Sequence, residues 1–314
     1  GLCRAEILLW RNTMNRITKH QFHAMLLIPD AFLLLCIQGS LSLMTVIGIA
    51  AGAVVQAAVV IPFMLMFRDR EEPPKWAMSV VGAYVIFCGG LLMKRLRISL
   101  QALYIPYETG GEISGGVVTW LILGLVALVC IYMSSAGIKA LSRASVIAIA
   151  VGALYLVILA VSAAAKSDFT NIARTWETDG FWGAFADSFL LTGGLGGAMA
   201  LIGITKGEPI RDLTEYLLIR VIMSAVVITA AILVEGGISA ITDFPVITAA
   251  QLSQPFQSQR IDSLLLMIFA VFAVFAIAVQ SAAAAYLIRK IVPEFKKYRS
   301  IAAIALISAV SLII

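Results

Sequence analysis

Charge is what this chain has least of. Asp, Glu, Lys and Arg together make up 13% of its 314 residues, against 61% hydrophobic, with a mean hydropathy of +0.98. Soluble domains run at about 25% charged and about 45–50% apolar, so a soluble globular domain is excluded. Histidine is nearly absent, with only His20 and His23. No Ser/His/Asp set or histidine-based metal centre can be assembled from them. Of four cysteines, Cys36, Cys88 and Cys130 lie inside apolar runs, which reads as neither a disulfide framework nor a zinc site. No span offers a nucleophile–base pair, so an integral-membrane enzyme is not expected, and neither is a cofactor. A short segment of the charged, apolar, small-residue signal pattern is also missing.

What the chain has instead is apolar runs from end to end. A spanning helix needs about 20 mostly apolar residues. Candidate spans fall at 22–38, 41–67, 76–104, 114–134, 145–165, 183–205, 212–236, 262–288 and 299–314. This predicts an all-α polytopic membrane protein of about nine spans. The ninth has 16 residues and no flanking charge, and is expected to be incomplete. Residues 1–13 (GLCRAEILLWRNT) differ in character from the rest of the chain, and Met14 would make a natural start. They are read as an upstream or non-native extension, with 14–314 as one transmembrane domain.

Cation placement predicts the topology, because cytoplasmic loops hold the excess of Lys and Arg. With the N-terminus inside, sixteen of the 23 cations are cytoplasmic and only Lys166, Arg174 and Arg260 are outside. The net charge of +5 therefore reports orientation in the bilayer, and no nucleic-acid partner is expected. Four cations lie within spans. Lys94, Arg95 and Arg97 are expected to snorkel near the outer interface, and Arg220 to snorkel from the inner half of the seventh span.

Two spans are irregular. The first reads "LLIPDAFLLL", placing Pro29-Asp30 near the middle of an apolar run. Proline costs about 3 kcal/mol in a helix interior. A central Asp adds about 2.5–3.5 kcal/mol on the insertion scale. The sixth reads "DSFLLTGGLGGAMALIGI", with Gly193, Gly194, Gly196 and Gly197 crowded together. Each glycine costs about 1 kcal/mol relative to alanine. The two irregular spans are five apart and run in opposite directions, which points to a transporter-type site at the midplane. Unwound backbone at Pro29, Asp30, Ala31 and Phe32 would face unwound backbone at Thr192, Gly193, Gly194, Gly196 and Gly197. Gly193 and Gly194 are placed at a ligand's carboxylate. Two plainer readings stay open: a proline kink with Asp30 bonded to a neighbouring helix, and glycines serving close helix packing.

Several segments resemble a known family. "ITKHQF" (17–22) matches an Ile-Ser/Thr-x-x-Gln start to the first span. "LYIPYETG" (103–110) resembles a Leu-Pro-x-x-Thr-Pro stretch after the third. "SSAGIKALSRAS" (134–145) stands where a small-residue turn and a short basic helix precede the fifth. "FPVITAAQLSQPFQSQRIDSLLLMIF" (244–269) matches an aromatic-Pro to Arg-x-Asp/Glu loop before the eighth. Together these resemble the GerAB-type spore germination proteins, the B subunits of nutrient-germinant receptors, in the amino acid/polyamine/organocation transporter superfamily. Two departures stand out. The family's Gly-Glu pair in span 6 is replaced by Thr192-Gly193, and the segment between spans 1 and 2 is shortened to Ile37–Ser40.

The resemblance implies a five-plus-five inverted-repeat fold, with repeats at 14–165 and 183–314. It also implies a subunit in the spore inner membrane that binds a small nutrient such as an amino acid and triggers germination with A and C subunits. The alternative is a secondary amino acid transporter, with Asp30 a candidate for ion or proton coupling.

Overall fold

The computed structural model describes residues 17–39, 41–67, 74–103, 112–173, 180–190, 193–201, 204–205, 208–236, 242–253, 262–294 and 298–314. The expected extension at 1–13, Thr192, most of the 103–110 motif and the loop at 254–261 lie outside these. Among the described residues the secondary structure is helical, apart from one parallel bridge between Ile17 and Thr205. Lipid dictates this outcome, because a spanning helix satisfies its backbone polar groups within itself.

The described residues form eleven helices in order: α1 Lys19–Leu35, α2 Leu43–Phe67, α3 Lys75–Leu103, α4 Glu112–Ala136, α5 Ile138–Lys166, α6 Phe181–Leu190, α7 Gly193–Leu201, α8 Pro209–Glu235, α9 Pro245–Ser253, α10 Asp262–Ile291 and α11 Arg299–Ile313. A single helical turn at Thr170–Ala173 comes after α5. Six of the helices (α2, α3, α4, α5, α8 and α10) hold a stretch long and apolar enough to cross a membrane. The chain is thus an all-α polytopic membrane protein. The helix α11 is apolar but shorter, and α1 has 17 residues.

The helix α1 is the buried centre of the bundle. Every residue from Phe22 to Phe32 is buried, and α5, α7, α8 and α10 pack around it. Its start is specified locally. The Thr18 N–H donates to Gln21 Oε1 at 3.0 Å, half of a capping box, and the Ile17 N–H donates to the Ile204 carbonyl at 3.0 Å. The Ile-Thr-x-x-Gln motif therefore has a physical role as a helix start. The expected break at Pro29–Phe32 is corrected: α1 runs unbroken through Pro29. Proline removes one donor, and in a membrane bundle enclosing neighbours tolerate that loss without the turn opening. A second correction concerns 134–145, where no separate basic helix forms. Gly137 turns the chain at φ +97, and Lys139 and Arg143 fall in the first turns of the continuous α5.

The sixth apolar run holds the helices α6 and α7, with residues 191–192 outside the described ones. The unwound backbone expected at Gly193, Gly194, Gly196 and Gly197 is corrected: 193–197 is helical and opens α7. Gly196 and Gly197 serve close packing: a Cβ on Gly196 would lie 2.8 Å from Val85 Cγ2, and one on Gly197 would lie 2.8 Å from Leu26 Cδ2. A second small-residue stripe sits on α2. A Cβ on Gly48 would meet the Phe181 carbonyl oxygen at 2.6 Å, and one on Gly52 would meet Ser188 Oγ at 2.6 Å. Spaced one turn apart, these two glycines bring the backbones of α2 and α6 together.

Overpacking that contact generates a prediction. Gly52→Val should destabilise the purified protein by about 1–3 kcal/mol, the usual range for overpacking. Gly124→Ala is the control, because a Cβ there meets nothing within 4 Å. Thermal unfolding in detergent should show a lowered midpoint for Gly52→Val and none for Gly124→Ala, where helix propensity favours a small rise.

Candidate functional site

The site is assembled on the end of α6. A helix leaves its last four carbonyls without intrahelical partners. Here three of them accept side-chain donors. Gln56 Nε2 donates to the Ser188 and Phe189 carbonyls, both at 2.9 Å. Tyr84 Oη donates to the Leu190 carbonyl at 2.5 Å, and Cys88 Sγ donates to the same oxygen at 3.1 Å. Side chains of α2 and α3 therefore gather on the last carbonyls of α6, just ahead of the glycines.

The strongest donor at this end is Arg220 of α8, which is 2% exposed. Its Nη1 donates to Gln56 Oε1 at 2.6 Å, and its Nη2 to the Ser188 carbonyl at 2.8 Å and to Ser188 Oγ. Its Nε lies 3.8 Å from Asp30 Oδ2. That same carboxylate oxygen accepts the Tyr216 hydroxyl at 2.5 Å. Asp30 and Arg220 each stand eleven residues into their helices, about 16 Å along at 1.5 Å per residue. The helices α1 and α8 start side by side, as Lys19 pairs with Glu215 and His23 Nε2 lies 2.8 Å from the Asp212 carbonyl oxygen. The two charges therefore meet at one depth. The expectation that Arg220 snorkels is corrected: it is fully enclosed and points into the bundle, because oxygens on three helices replace its water.

A cavity of about 450 Å³ opens above this floor. Asp30, Ser188, Arg220 and Ser224 form its polar base. Leu33, Leu34, Ile37, Ile49 and Ala184 supply apolar walls, and Gln38 and Gly39 stand at its rim. Arg95 bridges the rim, with Nη2 3.1 Å from Asp187 Oδ2 and Nη1 3.3 Å from Gln38 Oε1. This is one of the three cations expected to snorkel. Lys94 instead reaches the Ile314 carbonyl oxygen, and Arg97 lies over the Trp120 ring. The volume falls within the range of about 300–1,000 Å³ for small-molecule sites, and the lining has the usual mix of apolar walls with few convergent polar groups.

Of the residues predicted from sequence, the structure brings Asp30 to the cavity. Pro29 is buried beside it. Ala31 faces a separate small apolar pocket shared with α5, and Phe32 packs on Phe269 at 5.3 Å between ring centroids. Gly193 and Gly194 form the first turn of α7, whereas Gly196 and Gly197 pack against α3 and α1. Gln56, Ser188, Tyr216 and Arg220 are the additions that sequence reasoning missed. The signal for one of them was periodicity: Gly48, Gly52 and Gln56 recur at every fourth residue, on the face that meets α6. Among the described residues, no group of three or more His, Cys, Asp or Glu is placed to hold a metal.

No known family model matches the chain, and no curated protein matches it.

Breaking the buried pair from one side should be costly. Removing one partner of a buried ion pair costs about 3–5 kcal/mol, because the other charge is left uncompensated. Arg220→Met should therefore destabilise by that amount, and Asp30→Asn/Arg220→Met should be the more stable of the two. Chemical denaturation of the two variants and the parent, run as a cycle with Asp30→Asn, measures the difference.

Proposed function

We propose that this chain is a ligand-binding membrane subunit of the spore nutrient-germinant receptor type, built on a five-plus-five inverted-repeat plan. It senses a small nutrient such as an amino acid and acts with A and C subunits in the spore inner membrane, its N-terminus cytoplasmic. The nine-span count belongs to this reading, with α1, the α6–α7 pair and α11 counted beside the six long helices. The observation that carries it is the cavity above Asp30 and Arg220. It has the volume for an amino acid, opposite charges at its base for a zwitterion, and an opening on the side read as outside.

A second reading, secondary transport, is favoured by the way the Lys19 end is closed. Among the described residues, that end is held together by Lys19–Glu215, His23 with the Asp212 carbonyl, and Ile17 with Ile204. Closures of this kind can open. Uptake of labelled amino acids into proteoliposomes separates the readings. Accumulation supports transport, whereas binding without accumulation supports sensing.

Gly183 supplies the test of the cavity itself. It lines the space, and a Cβ there meets nothing within 4 Å. Gly183→Leu should fill the cavity while leaving stability intact. A ligand that binds only the folded state raises the unfolding midpoint as its concentration passes Kd. A panel of amino acids should raise the midpoint of the parent and leave that of Gly183→Leu unmoved. Equal shifts in both would remove the cavity from the reading.

A further inference from the structure

The end of α6 gathers oxygens in the manner of a cation site. Gln56 Oε1 and the Ser188 carbonyl lie 2.6 and 2.8 Å from Arg220 nitrogens, Ser188 Oγ is in contact, and Asp30 Oδ2 lies 3.8 Å away. They come from three helices: α2, α6 and α1. The helix end adds about half a negative charge of its own through its aligned peptide dipoles. In transporters with interrupted spans, half-helix ends and freed carbonyls of this kind coordinate sodium. Here the position is filled from within the chain.

We propose that this oxygen cluster is a cation site whose resident occupant is the Arg220 guanidinium, so that no free alkali ion is needed to hold α6 against α1 and α2. One feature singles out a guanidinium. Its donors form a planar fork that reaches Gln56 and Ser188 at once from different nitrogens, which the single nitrogen of an ammonium does not reproduce. Emptying the position should leave a site for a small planar cation, guanidinium itself. The inference stands apart from the nutrient reading, because it is measured on stability without any nutrient present.

The experiment uses the full chain purified in detergent. For the parent, unfolding midpoints in sodium, potassium and choline chloride at matched ionic strength should coincide. Arg220→Ala should lower the midpoint. Added guanidinium chloride should then recover most of the loss in a saturable manner, whereas equal concentrations of sodium chloride or urea should not. Arg220→Lys should stay low. Should Arg220→Ala fail to accumulate, Asp30→Asn/Arg220→Ala removes the stranded carboxylate with its partner, and guanidinium should still raise its midpoint. A saturable rise of the parent midpoint with sodium or potassium would overturn the proposal. So would the absence of any guanidinium-dependent rise in both variants.

Discussion

Burying one guanidinium constrains most of this molecule. Taking an ion of this kind out of water costs several kcal/mol even after relaxation, and attraction to a partner offsets it only when the hydrogen bonds are satisfied as well. Arg220 meets that condition through acceptors that must come from different helices. Gln56 has to reach it from α2, which requires α2 and α6 to touch backbone to backbone at Gly48 and Gly52. Ser188 has to present its carbonyl, which is available because α6 ends two residues later. Asp30 has to stand at the same depth on α1, where its own charge gains a partner. The Ser188 carbonyl turned to a side chain, the glycine stripe and the carboxylate in an apolar helix all serve one requirement.

Small residues do two opposite things around this centre. At Gly48 and Gly52 the missing side chain is replaced by the backbone and side chains of α6, so the space is filled. At Gly183, on the cavity wall, it is left open. The two uses look alike as letters in the sequence. They differ only in what stands opposite, which is a property of the fold.

That distinction marks how far the sequence could be read. The long helices were legible because lipid leaves the backbone few choices, and runs such as 41–67 and 212–236 correspond closely to α2 and α8. The start of α5 at Ile138 was not, since Lys139 and Arg143 were read as a separate short basic helix and belong to α5 itself. Asp30 was legible as a candidate residue because an unexplained charge in an apolar run demands a partner. Its partner was assigned to the interface instead. The information needed was in the spacing, as Asp30 and Arg220 sit equally far from the starts of their helices, but it acts only once α1 and α8 are known to lie side by side. The unwinding expected at 193–197 was a misreading of the glycines, since that stretch is helical and Gly196 and Gly197 serve close packing, whereas polar side chains gather on the carbonyls just before them. Proline drew attention to a break in span 1 that enclosure by four helices prevents.

The pairing of Asp30 with Arg220 inside the bundle has an electrical consequence. A single charge crossing the full membrane potential exchanges about 2.3 kcal/mol per 100 mV with it. Asp30 and Arg220 carry opposite charges at one depth and are tied together, so a movement of the floor that keeps the pair intact transfers no net charge through the field. A ligand of zero net charge would add none either. The resting voltage would then neither drive nor oppose such a movement, and the centre would work alike in an energised membrane and in one that has lost its potential.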